Sequence, residues 1–251
     1  MTSDTDQTEP ATERTTGLRD LIAGARVVLW DFDGPICRLF AGYPADRVAG
    51  RLVGWLEGVG LKELLTEEEQ VHPDPHVLLR AVDRRHHRSD LVAEFEERLT
   101  HEELRAVPGA YPTAYADPLI RTWAALGVGL AVTTNNSPRV VGEYLTTRGL
   151  LGCFAPHIYG RTRDLRLLKP DPYCLNRALG ALDAVPAHAL MVGDTDSDLA
   201  AARGAGVPFL GYARNEEKEE LLKAAGAETV VRSLEPVLRL VRESGGDRAH
   251  A

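Results

Sequence analysis

The chain is poor in the residue that staples small secreted folds. Its 251 residues hold three cysteines, Cys37, Cys153 and Cys174, far apart and with no C-x-x-C spacing. Neither a disulfide framework nor a structural zinc site is indicated, and reduced thiols in a cytoplasmic protein are the expectation. Long apolar runs are also missing. The longest uncharged stretch, Thr122 to Pro138, contains Thr133, Thr134, Asn135, Asn136 and Ser137, and it falls short of the roughly 20 apolar residues that span a bilayer. Asp4, Asp6 and Glu9 stand where a secretory leader would be basic and then apolar. A basic excess is absent: 29 Lys and Arg face 37 Asp and Glu, for a formal charge of −8. Nucleic acid and anionic membranes attract a positive field, so neither is an expected partner. No Gly-x-Ser-x-Gly elbow, Gly-x-x-x-x-Gly-Lys loop or dinucleotide glycine fingerprint occurs, and His101-Glu102-Glu103-Leu104-Arg105 lacks the second histidine of a zinc protease. No feature sets an oligomeric state.

What is present is an ordinary globular composition, 44% apolar and 26% charged. At roughly 150 residues per domain, the length lies between one domain and two. Residues 1–16 carry almost no large apolar side chains and read as a mobile tail. Beyond them, short apolar runs alternate with amphipathic segments. Val27–Trp30 ends in Asp31, Val128–Val132 in Thr133 and Thr134, Ala189–Val192 in Gly193 and Asp194, and Val207–Leu210 in Gly211. Such runs predict the buried strands of a doubly wound parallel α/β sheet, in which ligands bind beyond the carboxyl ends of the strands. About ninety residues separate the first two runs. Helical spacing over Ala45–Glu57, Lys62–Gln70, Pro75–His87 and Asp90–Ala106 predicts an inserted helical domain. The reading is a core of residues 17–35 and 113–251 and a cap of residues 36–112, placed as a lid.

Four clusters carry chemistry. Asp31-Phe32-Asp33-Gly34-Pro35 sets two carboxylates where a strand turns at a glycine, the parts of a nucleophile, a general acid/base and a metal site. Gly193-Asp194-Thr195-Asp196-Ser197-Asp198 offers hard oxygen ligands suited to Mg²⁺, with Asp196 or Ser197 available to cap the next helix. Thr134-Asn135, followed by Ser137-Pro138 as N-cap and first helical residue, forms an anion site at a helix start. Lys169-Pro170-Asp171-Pro172 holds a lysine on a stiff loop, with Asp171 and Pro172 as cap and first position of a helix to about Ala181.

Taken in chain order, Asp31-x-Asp33-Gly34, then Thr134-Asn135 after an apolar strand, then Lys169-Pro170, then Gly193-Asp194-x-x-x-Asp198, the four clusters resemble the motifs of the haloacid dehalogenase superfamily of phosphohydrolases, and the insertion resembles its helical C1 cap. The branch is that of the phosphoglycolate phosphatases and β-phosphoglucomutases. The resemblance spans about Arg26 to Leu240 and implies roles for particular residues. Asp31 would be a nucleophile forming an aspartyl-phosphate, and Asp33 a general acid/base. Thr134 and Asn135 would bind the phosphoryl group, and Lys169 would offset charge between it and Asp31. Mg²⁺ would be held by Asp31, the Asp33 carbonyl and Asp194, with Asp198 reaching it directly or through water. An acid at Asp33 favours phosphoryl transfer over dehalogenation, since a leaving alkoxide needs a proton. Pro35 departs from the threonine many members carry. The implied activity is Mg²⁺-dependent hydrolysis of a small phosphorylated metabolite. The alternatives are a phosphomutase of the superfamily and a noncatalytic binding or regulatory protein of the same fold.

Within the insertion, Arg84-Arg85-His86-His87-Arg88 with Arg47, Arg51, His72, His76 and Arg80 forms a basic set. Arginine suits anionic groups, so one of these would read a carboxylate or second phosphate, unless the set is a solvated face of mixed charge.

Overall fold

The computed structural model describes residues 11–248. Among the described residues eight strands occur in chain order: β1 Val27–Trp30, β2 Cys37–Arg38, β3 Tyr111–Pro112, β4 Gly129–Thr133, β5 Ile158–Tyr159, β6 Ala189–Gly193, β7 Phe209–Tyr212 and β8 Val230–Val231. Six form one parallel sheet in the order β5-β4-β1-β6-β7-β8. The doubly wound α/β expectation holds. Every residue of β1 is buried, because parallel strands carry crossover helices on both faces. One face packs Val28 and Trp30 against Leu119, Trp123 and Tyr144, and the other packs Leu29 against Met191, Leu175 and Ala201.

Register positions the site. β1 lies between β4 and β6, with Trp30 opposite Val132 on one side and Val192 on the other. The residues just beyond these three rows therefore open on one spot at the carboxyl edge, where chain order reverses about β1.

The helical insertion follows β1. Helices Ala45–Gly58, Pro75–Arg85 and Asp90–Ala106 enclose their own apolar cluster, with Val48, Leu52, Leu56, Leu78, Leu79, Val82, Phe95 and Leu99 all buried. Its two connections pair as the antiparallel ribbon β2–β3, and Thr113 Oγ1 donates to the Gly34 carbonyl at 2.5 Å. Both linkers thus enter beside the end of β1.

Several expectations are corrected. The tail of residues 1–16 lies partly outside the described residues, but a helix already starts at Ala11 and runs to Gly24. The expected helix Lys62–Gln70 is broken into a 3₁₀ turn, Lys62–Leu64, and a short helix, Glu67–Gln70. Thr66 ends the first by capping the second, its side chain and that of Glu69 exchanging backbone hydrogen bonds. β7 begins at Phe209 rather than Val207, since Pro208 has no N–H for the ladder. Pro172 is the N-cap of helix Tyr173–Ala181, while Asp171 accepts from the Tyr173 N–H at 2.9 Å.

Candidate active site

Asp31 leaves β1 with its N–H bonded to the Val192 carbonyl at 2.9 Å, which fixes its side chain between the ends of β4 and β6. The turn that follows is closed by Cys37 N–H to Phe32 O, 3.1 Å, and Gly34 N–H to Cys37 O, 2.6 Å, with Pro35 buried inside it. Gly34 sits at φ +131°, and a Cβ there would lie 2.4 Å from the Asp194 carboxylate carbon. Only glycine lets the two loops meet so closely.

Asp194 follows β6, and the loop after it is built by Asp198. Thr195, rather than Asp196 or Ser197, is the N-cap of helix Asp196–Ala205, with Asp198 as the reciprocal member of a capping box. Asp198 Oδ2 accepts from the Asp194 and Thr195 N–H groups, each at 3.1 Å, and from Thr195 Oγ1 at 2.8 Å. Gly193 makes room for it, since a Cβ there would stand 2.5 Å from Asp198 Cβ.

Lys169 is 2% exposed, and its ammonium donates to Asp31 Oδ1 at 2.7 Å, to the Thr133 carbonyl at 3.0 Å and to Asp198 Oδ1. Asn135 holds this lysine from both sides. Its Oδ1 accepts from the Lys169 N–H at 2.8 Å and its Nδ2 donates to the Lys169 carbonyl at 3.2 Å. The side chain expected to bind an anion is thus engaged as a clamp, while its own backbone N–H has no partner among the described residues. Thr134 is buried at the end of β4, and its hydroxyl donates to Asn136 Oδ1 at 3.1 Å and accepts from the Asn136 N–H at 3.2 Å. Ser137 is the N-cap and Pro138 the first residue of the helix beyond. Asp33 is turned aside, its Oδ1 accepting from the Leu39 N–H at 2.8 Å.

Asp31, Asp194 and Asp198, all buried, bring one carboxylate oxygen each within 4.8 Å of one another. The Lys169 ammonium faces Asp31 and Asp198, Lys218 reaches Asp194, and burial raises the titration of Asp31 and Asp194. Burial, reinforced by Asp198 and Asp194, pushes Asp31 up to about 7 against the pull of Lys169. Burial pushes Asp194 up to about 6 and Asp33 up to about 6. Burial acts the other way on Lys169, but Asp198 and Asp31 outweigh it and hold the ammonium above its ordinary range. Lys218 also donates to Asp194 Oδ2. Asp194 Oδ1 nevertheless remains buried with no hydrogen-bond partner. Excess negative charge, hard oxygens and an orphaned carboxylate oxygen are what a small divalent cation satisfies.

A second polar cluster, missed in the sequence, joins the insertion to this site. Glu103 and the Arg161 side chain are fully buried and meet in two bonds, at 2.9 and 3.0 Å. Glu103 also accepts from Asn136 Nδ2 at 3.0 Å and the Ser137 N–H at 3.3 Å, while Arg161 donates to the Asn135 carbonyl at 3.0 Å. Arg80 donates to the Lys169 carbonyl at 2.5 Å. Two insertion helices therefore hold the loops that carry Thr134, Asn135 and Lys169. A sequence signal for Glu103 existed: it follows Val92, Phe95 and Leu99 at helical intervals, a carboxylate on an apolar face.

The chain belongs to the haloacid dehalogenase-like hydrolases, whose family model matches residues 25–206. Among curated relatives, a phosphoglycolate phosphatase of Thiobacillus denitrificans is 27% identical over 171 residues, covering 64% of this chain and 66% of the relative. One of Rhodospirillum rubrum is 38% identical over 108 residues, covering 41% and 43%. The chain spans less than two thirds of the length of these relatives. A solved structure of a predicted phosphatase from Clostridium acetobutylicum superposes with a TM-score of 0.65 at 18% identity, over 86% of this chain and 98% of that one, a likeness of fold. Among the described residues, no helix is long and apolar enough to cross a membrane.

Proposed function

We propose that the protein is a Mg²⁺-dependent phosphatase of a small phosphorylated metabolite, working through an aspartyl-phosphate on Asp31. The observation that carries this reading is the convergence on Asp31 of the Lys169 ammonium, at 2.7 Å, and of Asp194 with its unpartnered buried oxygen. The relatives named above, both phosphoglycolate phosphatases, point to the same reaction. The division into a core of residues 17–35 and 113–251 and a cap of residues 36–112 belongs to this reading, supported by the separate apolar cluster of the insertion.

In this mechanism an Asp31 carboxylate oxygen attacks phosphorus and the ester P–O bond breaks, its electrons leaving on the substrate oxygen. Asp33, kept protonated toward neutral pH by burial, gives that oxygen its proton. A water then attacks the phosphorus of the aspartyl-phosphate. Asp33 takes the proton of that water, and Asp31 is released as a carboxylate. Thr134 and the Asn135 N–H, before the helix at Pro138, receive the phosphoryl oxygens, and Lys169 screens them from Asp31. Asp31, the Asp33 carbonyl and Asp194, with Asp198 directly or through water, would hold Mg²⁺, which when bound would supply positive charge between the two anions. Phosphate release from p-nitrophenyl phosphate and a panel of phosphorylated metabolites, with Mg²⁺ and with chelator, tests this. Mg²⁺-dependent release is expected, and no release from any compound contradicts it.

Two variants probe the cation. Lys218→Met removes the charge now bound to Asp194 and is expected to tighten Mg²⁺ about tenfold by isothermal titration, equivalent to ~1.4 kcal/mol. Unchanged or weaker binding would show that Lys218 and the cation do not compete. Gly34→Ala drives a methyl into the Asp194 carboxylate, and a displacement of about 1 Å at a reacting centre costs about 100-fold. A loss of that order in kcat/KM, with a raised Mg²⁺ requirement, is the expected result.

A further inference from the structure

The basic set of the insertion is largely engaged in bracing it. Arg84 and Arg85 pair with Glu69, Arg88 with Asp164, and Arg51 and Arg105 with Glu102. Arg80 is bonded to the Lys169 carbonyl, and the His76 ring lies between Asp74 and Glu103. Glu103 differs from these, because it is an acid of the insertion whose bonds reach the loop after β4. Its two oxygens accept from Asn136 Nδ2 and the Ser137 N–H. Arg161 holds the same loop, donating to the Asn135 carbonyl at 3.0 Å from its side chain and to the Asn136 carbonyl at 2.9 Å from its backbone N–H. The Asn136 N–H is bonded to Thr134 Oγ1. Two successive peptide units, Asn135–Asn136 and Asn136–Ser137, are therefore bonded at both their C=O and their N–H ends, and a planar unit held at both ends cannot turn. The two loops touch backbone to backbone, since a Cβ on Gly160 would stand 2.4 Å from the Asn136 carbonyl oxygen.

We infer that Glu103 is a positioning residue for phosphoryl binding, acting through Asn136 on the Thr134 hydroxyl and, together with Arg161, on the Asn135 N–H. The inference rests on the phosphatase reading, in which those two groups receive the phosphoryl oxygens, and adds to it the residues that hold them. The chemistry is directional. An ionised carboxylate only accepts, so Glu103 turns the Nδ2 side of Asn136 toward itself and the Oδ1 side toward Thr134. The Thr134 hydroxyl then meets Asn136 twice, giving its hydrogen to Oδ1 and taking the N–H, which fixes its oxygen on the loop. Arg161 makes the buried carboxylate tolerable through its paired bonds. Its charge also offsets an anion that stands at the start of helix Pro138–Thr147, where the phosphoryl group is to bind. The insertion thus builds part of the phosphoryl site instead of only covering it.

The test is isothermal titration with inorganic phosphate in the presence of Mg²⁺, with thermal melting of the same preparations. The dissociation constant reports the site in folded molecules and the stoichiometry reports the folded fraction, so a loss of stability alone moves only the second. Glu103→Met removes both acceptors at similar volume, and Asn136→Ala cuts the relay while leaving the Glu103–Arg161 pair in place. Each is expected to weaken phosphate about tenfold. The double variant is expected to lose about tenfold in all, not about a hundredfold, because the same relay is cut twice. Glu103→Gln keeps an oxygen for Asn136 Nδ2 and should bind phosphate nearly as wild type does. Glu97→Gln breaks the exposed pair with Arg139, which joins the same two helices, and should leave the affinity unchanged. Equal affinity in Glu103→Met and wild type, losses that multiply in the double variant, or a wild type that binds no phosphate overturns the inference. Should Glu103→Met not fold, Asn136→Ala against Glu97→Gln decides by the same criterion. Phosphate release from p-nitrophenyl phosphate, measured beside the titrations, keeps the two readings apart. Hydrolysis with unmoved affinities defeats the inference alone, and the expected affinities without hydrolysis defeat the phosphatase reading alone.

Discussion

Asp31→Asn is expected to release phosphate at least about three orders of magnitude more slowly than wild type while melting, in chelator, at or above the wild-type temperature. The two effects have one cause. An amide of the same shape cannot attack phosphorus, so the covalent route closes. Asp31 is also one of three clustered buried carboxylates and shares the Lys169 ammonium with Asp198. Its folded pKa of about 7 lies above the ordinary value of 3.8, so ionising it costs stability at neutral pH, and the neutral amide removes that cost. Lys169 keeps Asp198 as its counter-ion. A variant that lost activity and stability together would indicate a structural carboxylate instead. Activity and thermal melting, measured on one preparation, separate the two.

Glu103→Ala is expected to cost about 3–5 kcal/mol of stability, the penalty for removing one partner of a buried ion pair. The Arg161 side chain is fully buried and would keep only Glu96 as a counter-ion, at 2.9 Å. Glu103→Gln retains an acceptor in nearly the same place and should lose less. The pH dependence identifies the groups. For Glu103, burial is outweighed by Arg161 and His76, which hold it at about 2, below its ordinary 4.5. Its contribution is therefore present above 4.5 and lost as pH falls toward 2. For His76, burial is outweighed by Asp74 and Glu103, which raise it to about 9 despite Arg161 beside the ring. Its contribution is full below 6.5 and lost as pH rises through 9. Denaturant titrations should thus show the stability difference between wild type and Glu103→Ala level between about pH 4.5 and 6.5 and shrinking toward pH 2 and toward pH 9. A difference that does not shrink at either end would assign the pH dependence to other groups.

The parts of the site that were legible in the sequence are those built from local patterns. Val27–Trp30 and Ala189–Val192 read as buried parallel strands because they are wholly apolar and end in acids, and the register carries those acids to one point. The family resemblance placed Lys169 beside them. The rest depends on contacts that spacing does not encode. β5 and β8 are edge strands with two residues each, too short for any period to show. Asp198 stands in the carboxylate cluster with Asp31 and Asp194, but the hold of its Oδ2 on the loop that carries Asp194 is an arrangement that only the capping geometry discloses. Glu103 and Arg161 stand 58 positions apart and meet because the insertion folds back over β4. Arg84-Arg85-His86-His87-Arg88 stands out as a basic run in the sequence, but Arg84, Arg85, His87 and Arg88 each meet a carboxylate, which spacing does not show.

The central claim, an aspartyl-phosphate on Asp31, is tested most directly in Asp33→Asn mixed with p-nitrophenyl phosphate and Mg²⁺ and then quenched with borohydride. p-Nitrophenolate departs without needing a proton, so Asp31 can still be phosphorylated, whereas hydrolysis of the intermediate has lost its base. Borohydride reduces an acyl phosphate to an alcohol, turning a phosphorylated aspartate into homoserine, which peptide mass spectrometry locates. The predicted result is a burst of p-nitrophenolate approaching one per active site, with homoserine at position 31. Homoserine at another aspartate, or turnover with neither burst nor label, would contradict it.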